Sequence, residues 1–196
     1  MRILVTGTTG GIGGAVRDVA RAAGHAVVEV NRGGFDSPLA GLFDAVVFAT
    51  GTCPVVPLGL LSDAAFAETV GVNCGLFVKL MRRLVTERLL SPAGARVLAV
   101  SSVSAAEGWP GGAAYCASKG ALSAVCRALD AELAPRRVSV VALEPRYVKT
   151  RMFDACAGRM GVDPGLARDP ADVARDVLAA LDGNGKERAA GAPRTK

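Results

Sequence analysis

The chain has 196 residues, of which 51% are hydrophobic and 21% are charged. These proportions fit a compact globular domain with a substantial core and exclude a disordered chain. The formal charge is +5, but residues 183–196 alone hold four basic side chains and one acidic one. Because the remainder is close to neutral, we predict a flexible basic tail at 183–196 and no nucleic-acid partner.

The five cysteines lack the paired spacing of a zinc site, and the chain has one histidine to join them. We therefore expect free thiols, no bound metal and a reducing, cytoplasmic location. Residues 45–62 carry no charge, but two glycines and two prolines interrupt them. We expect no membrane span there.

Short apolar runs rich in Val, Ile and Leu alternate with segments of helical length. The runs lie at 2–6, 26–31, 44–50, 96–102 and 137–145. The helical segments lie at 11–24, 73–90, 115–134 and 170–181. Continuously apolar strands are typical of a parallel sheet covered on both faces. The alternation predicts a Rossmann-type, doubly wound parallel α/β sheet in three α/β/α layers, formed by a single domain over residues 1–182.

Two intervals depart from this alternation. Residues 32–42 are too few for a helix and a strand, so we expect a missing helix and at most a vestigial edge strand near Phe35. Residues 151–169 are expected to form either a small mobile flap or an open mouth over the site. We expect no further strand after the last helix.

A glycine-rich loop, TGTTGGIG at residues 6–13, joins the first strand to the first helix. Gly7 permits a tight turn, Gly11 lets a phosphate approach the backbone, and Gly13 lets the helix pack closely on the sheet. The unpaired N–H groups at the helix start favour a pyrophosphate. In this strand–loop–helix context, we predict a dinucleotide site rather than a glycine turn without a ligand.

The end of the second strand indicates which dinucleotide binds. An acidic residue commonly holds the free ribose 2′-hydroxyl of NAD at this place, and here Asn31 stands there with Arg32 after it. A guanidinium suits a 2′-phosphate, so we expect NADP(H) in preference to NAD(H). The alternative for Arg32 is a solvated turn arginine.

Tyr115 and Lys119 are four residues apart on one face of the third long helix. A nearby ammonium favours the phenolate, so we expect Lys119 to lower the pKa of Tyr115 and make the phenol an acid–base catalyst. Ser102 lies thirteen residues earlier, at the carboxyl end of a strand where ligands bind in doubly wound sheets.

The TGxxxGxG loop, this serine and the YxxxK pair together resemble the short-chain dehydrogenase/reductase family over residues 2–150. The resemblance implies that Tyr115 is the general acid/base, that Lys119 holds the nicotinamide ribose, and that Ser102 orients the substrate carbonyl. Asn73 matches the family asparagine of a proton relay, with a helix cap as the alternative. Besides Tyr115 and Lys119, the expected cofactor contacts are Gly7, Thr9, Gly10, Gly11, Ile12, Asn31, Arg32, Ala49, Thr50, Gly51, Pro145, Val148 and Thr150.

The chain departs from the family pattern at two places. Residues 49–51 read Ala-Thr-Gly where Asn-Ala-Gly is usual, so a structural asparagine contact on the central strand is missing. Arg146 replaces the usual glycine after Pro145. The glycine loop also fits the TGxxGxxG pattern of epimerase-like relatives, but the chain leaves no room for their substrate domain.

The resemblance implies an NADP(H)-dependent carbonyl reductase or alcohol dehydrogenase that acts on a small carbonyl or alcohol. The alternative is a non-catalytic dinucleotide-sensing or scaffold protein on the same fold, because fold alone does not assign activity. The resemblance also implies a homodimer or homotetramer, with the apolar surfaces of helices 73–90 and 115–134 as candidate interfaces.

Overall fold

The computed structural model describes residues 1–182, so the predicted tail at 183–196 lies outside the described residues, as would any later strand. Five strands form one parallel sheet in the order β2-β1-β3-β4-β5. The strands are β1 (Arg2–Thr6), β2 (Ala26–Val30), β3 (Ala45–Phe48), β4 (Ala95–Val100) and β5 (Val138–Leu143). β2 and β3 lie on opposite sides of β1, so the direction in which successive strands are added to the sheet reverses after β2. Ligands bind at the carboxyl ends of strands beside such a reversal.

Helices cover both faces of the sheet, which confirms the three-layer fold. They are α1 (Gly11–Ala22), α2 (Asp63–Val70), α3 (Leu76–Thr86), α4 (Ala113–Leu133), α5 (Arg151–Met160) and α6 (Pro170–Leu181). Side chains alternate along β1: Ile3 and Val5 join the core with Val16 of α1, whereas Leu4 joins the opposite core with Phe77 of α3. All five are fully buried.

The helix predicted at 73–90 begins ten residues earlier, at Asp63, where the Ser62 hydroxyl accepts from the backbone of the first turn. A π-helical turn over Gly71–Gly75 joins α2 to α3. By length and composition, Asp63–Thr86 could cross a membrane, with a mean hydropathy of 1.3. Core helices meet the same criterion, and Phe77 and Leu80 of this run are fully buried in the core.

The two irregular intervals have different outcomes. Residues 32–42 contain neither a helix nor a strand, which confirms the missing helix, and Phe35 packs edge-on against Phe48 at 6.3 Å. Residues 151–169, predicted to form a small mobile flap or an open mouth, contain α5 and a short 3-10 turn at Pro164–Leu166. The Thr150 hydroxyl caps α5 by accepting from the Phe153 amide at 3.2 Å. Phe153 then packs in a small cluster separate from the two main cores.

Candidate active site

The glycine loop makes the tight turn expected of it. Gly7 has a positive φ of 69°, and a Cβ there would lie 2.7 Å from the Ala49 carbonyl oxygen. A Cβ on Gly13 would lie 2.3 Å from the Gly7 carbonyl oxygen, so α1 packs directly on the loop. Gly11 is in close contact with the Thr150 methyl group. No side chain caps α1 at Gly10, which leaves the first N–H groups of this helix without a side-chain acceptor.

A groove of about 280 Å³ runs over this loop toward the end of β2. Its only charged lining residues, among those the structure describes, are Arg32 and Arg151. Asn31 also lines it, with its side-chain amide donating to the Thr8 hydroxyl at 3.0 Å. Glu29 lies within β2 and is paired with Arg21 at 2.7 Å, outside the groove lining. The groove therefore presents cations and no carboxylate, which fits a polyanionic ligand.

The missing asparagine contact at residues 49–51 is replaced by a pair of threonines. The Thr6 hydroxyl at the end of β1 accepts from the Ala49 amide at 3.1 Å and from the Thr50 hydroxyl at 2.9 Å. Both threonines are buried. The ends of β1 and β3 are thus tied together beside Gly51, without the amide that the family pattern supplies.

Tyr115 and Ser102 meet in a second cavity of about 110 Å³. Ser102 follows the end of β4 by two residues, and its side chain and the Tyr115 phenol line this cavity together. Trp109 lies beside Tyr115, with ring centroids 6.2 Å apart, and its indole N–H donates to the Ser104 hydroxyl at 3.2 Å. A Cβ on Gly112 would lie 2.6 Å from the indole ring, so this glycine lets Trp109 pack over the start of α4.

The Lys119 ammonium is buried, and its nearest acceptor is a backbone carbonyl. Its Nζ donates to the Val100 oxygen at 2.7 Å and lies 5.7 Å from the centroid of the Tyr115 ring. Burial lowers the pKa of Lys119 from 10.5 to about 8, against the opposing influence of nearby thiols. Burial likewise raises the pKa of Tyr115, an effect that the nearby Ser102 hydroxyl only partly offsets.

The predicted lowering of the Tyr115 pKa by Lys119 is therefore wrong for this structure. Burial is the largest influence on the phenol and raises its pKa, while the Lys119 ammonium is turned toward Val100 and loses part of its own charge near pH 8. Near neutral pH the phenol keeps its proton. A thiol adjoins it: Cys53 lines the same cavity, and burial raises its pKa to about 12. All five cysteines are free thiols.

Asn73 is fully buried in the π turn, in the middle of a helical run, so the helix-cap alternative is wrong. Its side-chain oxygen accepts from the Thr52 amide at 2.7 Å, and its amide donates to the Thr52 oxygen at 2.9 Å. The same amide donates to the Ser118 hydroxyl at 2.8 Å, which in turn donates to the Tyr115 carbonyl. Asn73 thus links the loop after β3 to the turn of α4 that carries Tyr115.

Sequence reasoning missed a second set of serines that holds α4. The Ser101 hydroxyl donates to the Lys119 carbonyl at 3.1 Å and contacts the Ser123 hydroxyl at 2.8 Å. Ser123 also donates to Glu144 at 2.7 Å. The network ties the ends of β4 and β5 to the turn that carries Lys119. The sequence feature that could have revealed this network is Ser123, which lies one helical turn after Lys119.

The cavity and the groove adjoin each other, because five residues line both. These are Ile12, Ala49, Gly51, Thr150 and Met152. Pro145 and Val148 line the cavity that holds Tyr115 and Ser102. Gly7, Thr9, Gly10, Gly11 and Thr50 line the groove. Every expected cofactor contact therefore lies on this continuous surface, and Asn73 lies behind it. Arg146, at the departure after Pro145, is paired with Glu107 at 2.8 Å.

Residues 38–159, more than half of the chain, match the family described as short chain dehydrogenase. The chain therefore belongs to this family. The glycine loop precedes the matched segment. The 3-oxoacyl-(acyl-carrier-protein) reductase FabG of Rickettsia felis is 31% identical over 94 residues, which cover 48% of this chain and 39% of that relative. The match thus spans less than half the length of that reductase.

Solved structures of similar fold extend over almost the whole chain. A short chain dehydrogenase family protein from Francisella tularensis has a TM-score of 0.81 at 19% identity, covering 94% of this chain and 92% of that chain. The 3-ketoacyl-(acyl-carrier-protein) reductase from Brucella melitensis, complexed with NADH, has a TM-score of 0.78 at 23% identity. The alignment covers 95% of this chain and 92% of that chain. At these identities the likeness confirms the Rossmann-type fold.

Proposed function

We propose that the protein is an NADP(H)-dependent oxidoreductase that reduces a small carbonyl compound. The observation that carries this proposal is the continuous surface from the glycine loop to Tyr115. On this surface an extended dinucleotide would reach from Arg32 at one end to Tyr115, Ser102 and Lys119 at the other. The retention of both Tyr115 and Lys119 in the cavity favours an enzyme over a non-catalytic dinucleotide sensor.

The charges of the groove support NADP(H). No carboxylate lines it among the described residues, so the acidic acceptor that commonly holds a free 2′-hydroxyl is missing there. Arg32 is exposed at its adenine end, and within residues 1–182 it forms no ion pair. A guanidinium without a carboxylate partner suits a phosphate.

The hydroxyl groups of Ser102 and Tyr115 support the chemistry of carbonyl reduction. When bound, a reduced nicotinamide supplies the hydride. Ser102 donates a hydrogen bond to the carbonyl oxygen and holds it beside the phenol. Tyr115 donates its proton to that oxygen as the carbon becomes an alcohol, and a phenol with a raised pKa carries this proton at neutral pH. Lys119 lies behind Tyr115, placed to contact the cofactor ribose.

The lining of the catalytic cavity supports an uncharged substrate. Trp109, Tyr147, Phe153 and Met160 supply large apolar surfaces. The charged side chains in the lining are Lys119, which is buried behind Tyr115, and Arg146, which Glu107 neutralises. Neither cation is an exposed, unpaired charge that could hold a charged substrate within the described part of the cavity, so neutral ketones and aldehydes fit best.

The expected assembly is a homodimer or homotetramer. Phe66 and Val78 on the α2–α3 run are 41% and 44% exposed, which supports burial of this face against a second copy.

The proposal is tested by following NADPH absorbance in the presence of neutral aromatic and aliphatic ketones and of matched keto acids. We expect NADPH oxidation with neutral carbonyls, and slower oxidation with the acids. The proposal fails if calorimetry detects binding of neither NADPH nor NADH. Dinucleotide binding without turnover of any carbonyl would instead favour the non-catalytic alternative.

A further inference from the structure

Arg151 lies at the junction of the groove and α5, and the cofactor contacts expected from the sequence do not include it. It is the first residue of α5, directly after the Thr150 cap. Its guanidinium Nη2 lies 3.5 Å from the Thr9 carbonyl oxygen in the glycine loop, although the two residues are 142 positions apart in sequence. The side chain therefore crosses from α5 to the loop that precedes α1.

The environment of Arg151 leaves its charge available. The residue is exposed, and no carboxylate in the described chain pairs with it. Its contact to Thr9 is at the long limit of a hydrogen bond. Beneath it are the uncapped N–H groups of α1, so two positive features face the same part of the groove.

α5 is held by few contacts besides this one. Its buried side chains Phe153 and Ala157 pack in the small cluster with Ala167, apart from the two main cores. At its far end, Arg159 donates to the Val55 carbonyl at 2.9 Å. The helix contributes Phe153 and Cys156, among others, to the wall of the catalytic cavity. A segment with so few core contacts belongs to the less stable part of a fold.

We infer that Arg151 binds the diphosphate of the dinucleotide and thereby fixes α5 over the catalytic cavity. This inference rests on the proposed function and adds a cofactor contact to it. Arg32 and Arg151 then have separate roles. Arg32 recognises a 2′-phosphate present only in NADP(H), whereas Arg151 recognises a group that NADP(H) and NAD(H) share.

The test compares Arg151→Ala with Arg32→Ala by calorimetric titration of NADPH and of NADH. We expect Arg151→Ala to weaken binding of both dinucleotides by the same factor, about tenfold, as for the loss of one charge-assisted hydrogen bond. Arg151→Lys keeps the charge and should recover part of the loss. Arg159→Ala, on the same helix but away from the groove, should leave both dissociation constants within about twofold of the wild type.

Hydrogen exchange provides a readout that does not depend on turnover. Saturating NADPH should slow amide exchange in residues 151–160 of the wild type and of Arg159→Ala, but not of Arg151→Ala. The inference is overturned if Arg151→Ala leaves both affinities unchanged or weakens NADPH alone. It is also overturned if Arg159→Ala weakens both as strongly, because the effect would then come from α5 packing. A wild type that binds neither dinucleotide would overturn the proposed function as well.

Discussion

Replacing Lys119 by Met tests the burial of the ammonium that adjoins Tyr115. The side chain is 5% exposed and donates to the Val100 oxygen at 2.7 Å. Its pKa falls from 10.5 to about 8 on folding. Keeping the ammonium charged therefore costs the folded state roughly 3 kcal/mol relative to the unfolded chain. Below pH 8 both the folded and the unfolded chain hold this proton, so the folded state bears the whole cost of the buried charge.

Between pH 8 and 10.5 the folded state loses the proton while the unfolded chain keeps it. Because the unfolded state then binds more protons, the contribution of Lys119 to stability rises with pH in this window. The raised pKa values of Tyr115 and of the cysteines act in the opposite sense above about pH 9. They are common to both proteins and largely cancel in the difference between wild type and variant.

The assay is urea denaturation of wild type and Lys119→Met at pH 7, 8.5 and 10. At pH 7 the variant loses the buried charge but leaves the Val100 carbonyl unpaired, at a cost of about 1–3 kcal/mol, so the two stabilities should be similar. By pH 10 the wild type should gain about 2–3 kcal/mol relative to the variant. A difference that does not change with pH would show that Lys119 titrates like a solvated lysine.

Two further predictions concern the cofactor groove. Arg32→Ala should weaken NADPH binding about tenfold or more and leave NADH binding within about twofold, because only NADPH carries the 2′-phosphate. Equal losses in a titration would contradict this role, because Arg32 would then contact a group that both dinucleotides share. Gly13→Ala should destabilise the fold by about 1–3 kcal/mol in thermal or urea unfolding, since the new methyl group meets the Gly7 oxygen. Gly158→Ala, where a Cβ has open space, is the matched control, and similar unfolding of both variants would contradict the close packing of α1 on the loop.

The sheet and its ligand-binding edge were predictable because their signals are local. The apolar runs match β1 to β5 within a few residues, and the alternation with helices fixed the layers. The positive φ of Gly7 and the contact between Gly13 and Gly7 follow from the spacing of the loop glycines. Ser102 and Tyr115 meet as expected, since a strand end and the next helix start lie at the same edge of the sheet.

What sequence reasoning missed depends on tertiary contacts. α2 was overlooked because it continues through a π turn into α3. The role of Asn73 becomes apparent only in the folded chain, where its side chain forms hydrogen bonds with Thr52 and Ser118. The pKa of Tyr115 was predicted in the wrong direction, because spacing along a helix reports the distance between two charges but not their desolvation. The contact between Arg151 and Thr9 joins residues 142 positions apart, which no local pattern reports.

The central claim is that the Tyr115 phenol delivers the proton to the substrate carbonyl. It is tested most directly by single-turnover reduction of a ketone with bound NADPH in Tyr115→Phe, with NADPH affinity measured separately. Tyr147→Phe is the matched control, because Tyr147 is the other tyrosine of the chain and lines the same cavity. We expect Tyr115→Phe to slow reduction by about 10²–10⁴-fold with unchanged NADPH affinity, and Tyr147→Phe to retain most of the rate. Reduction by Tyr115→Phe at the wild-type rate would contradict the account.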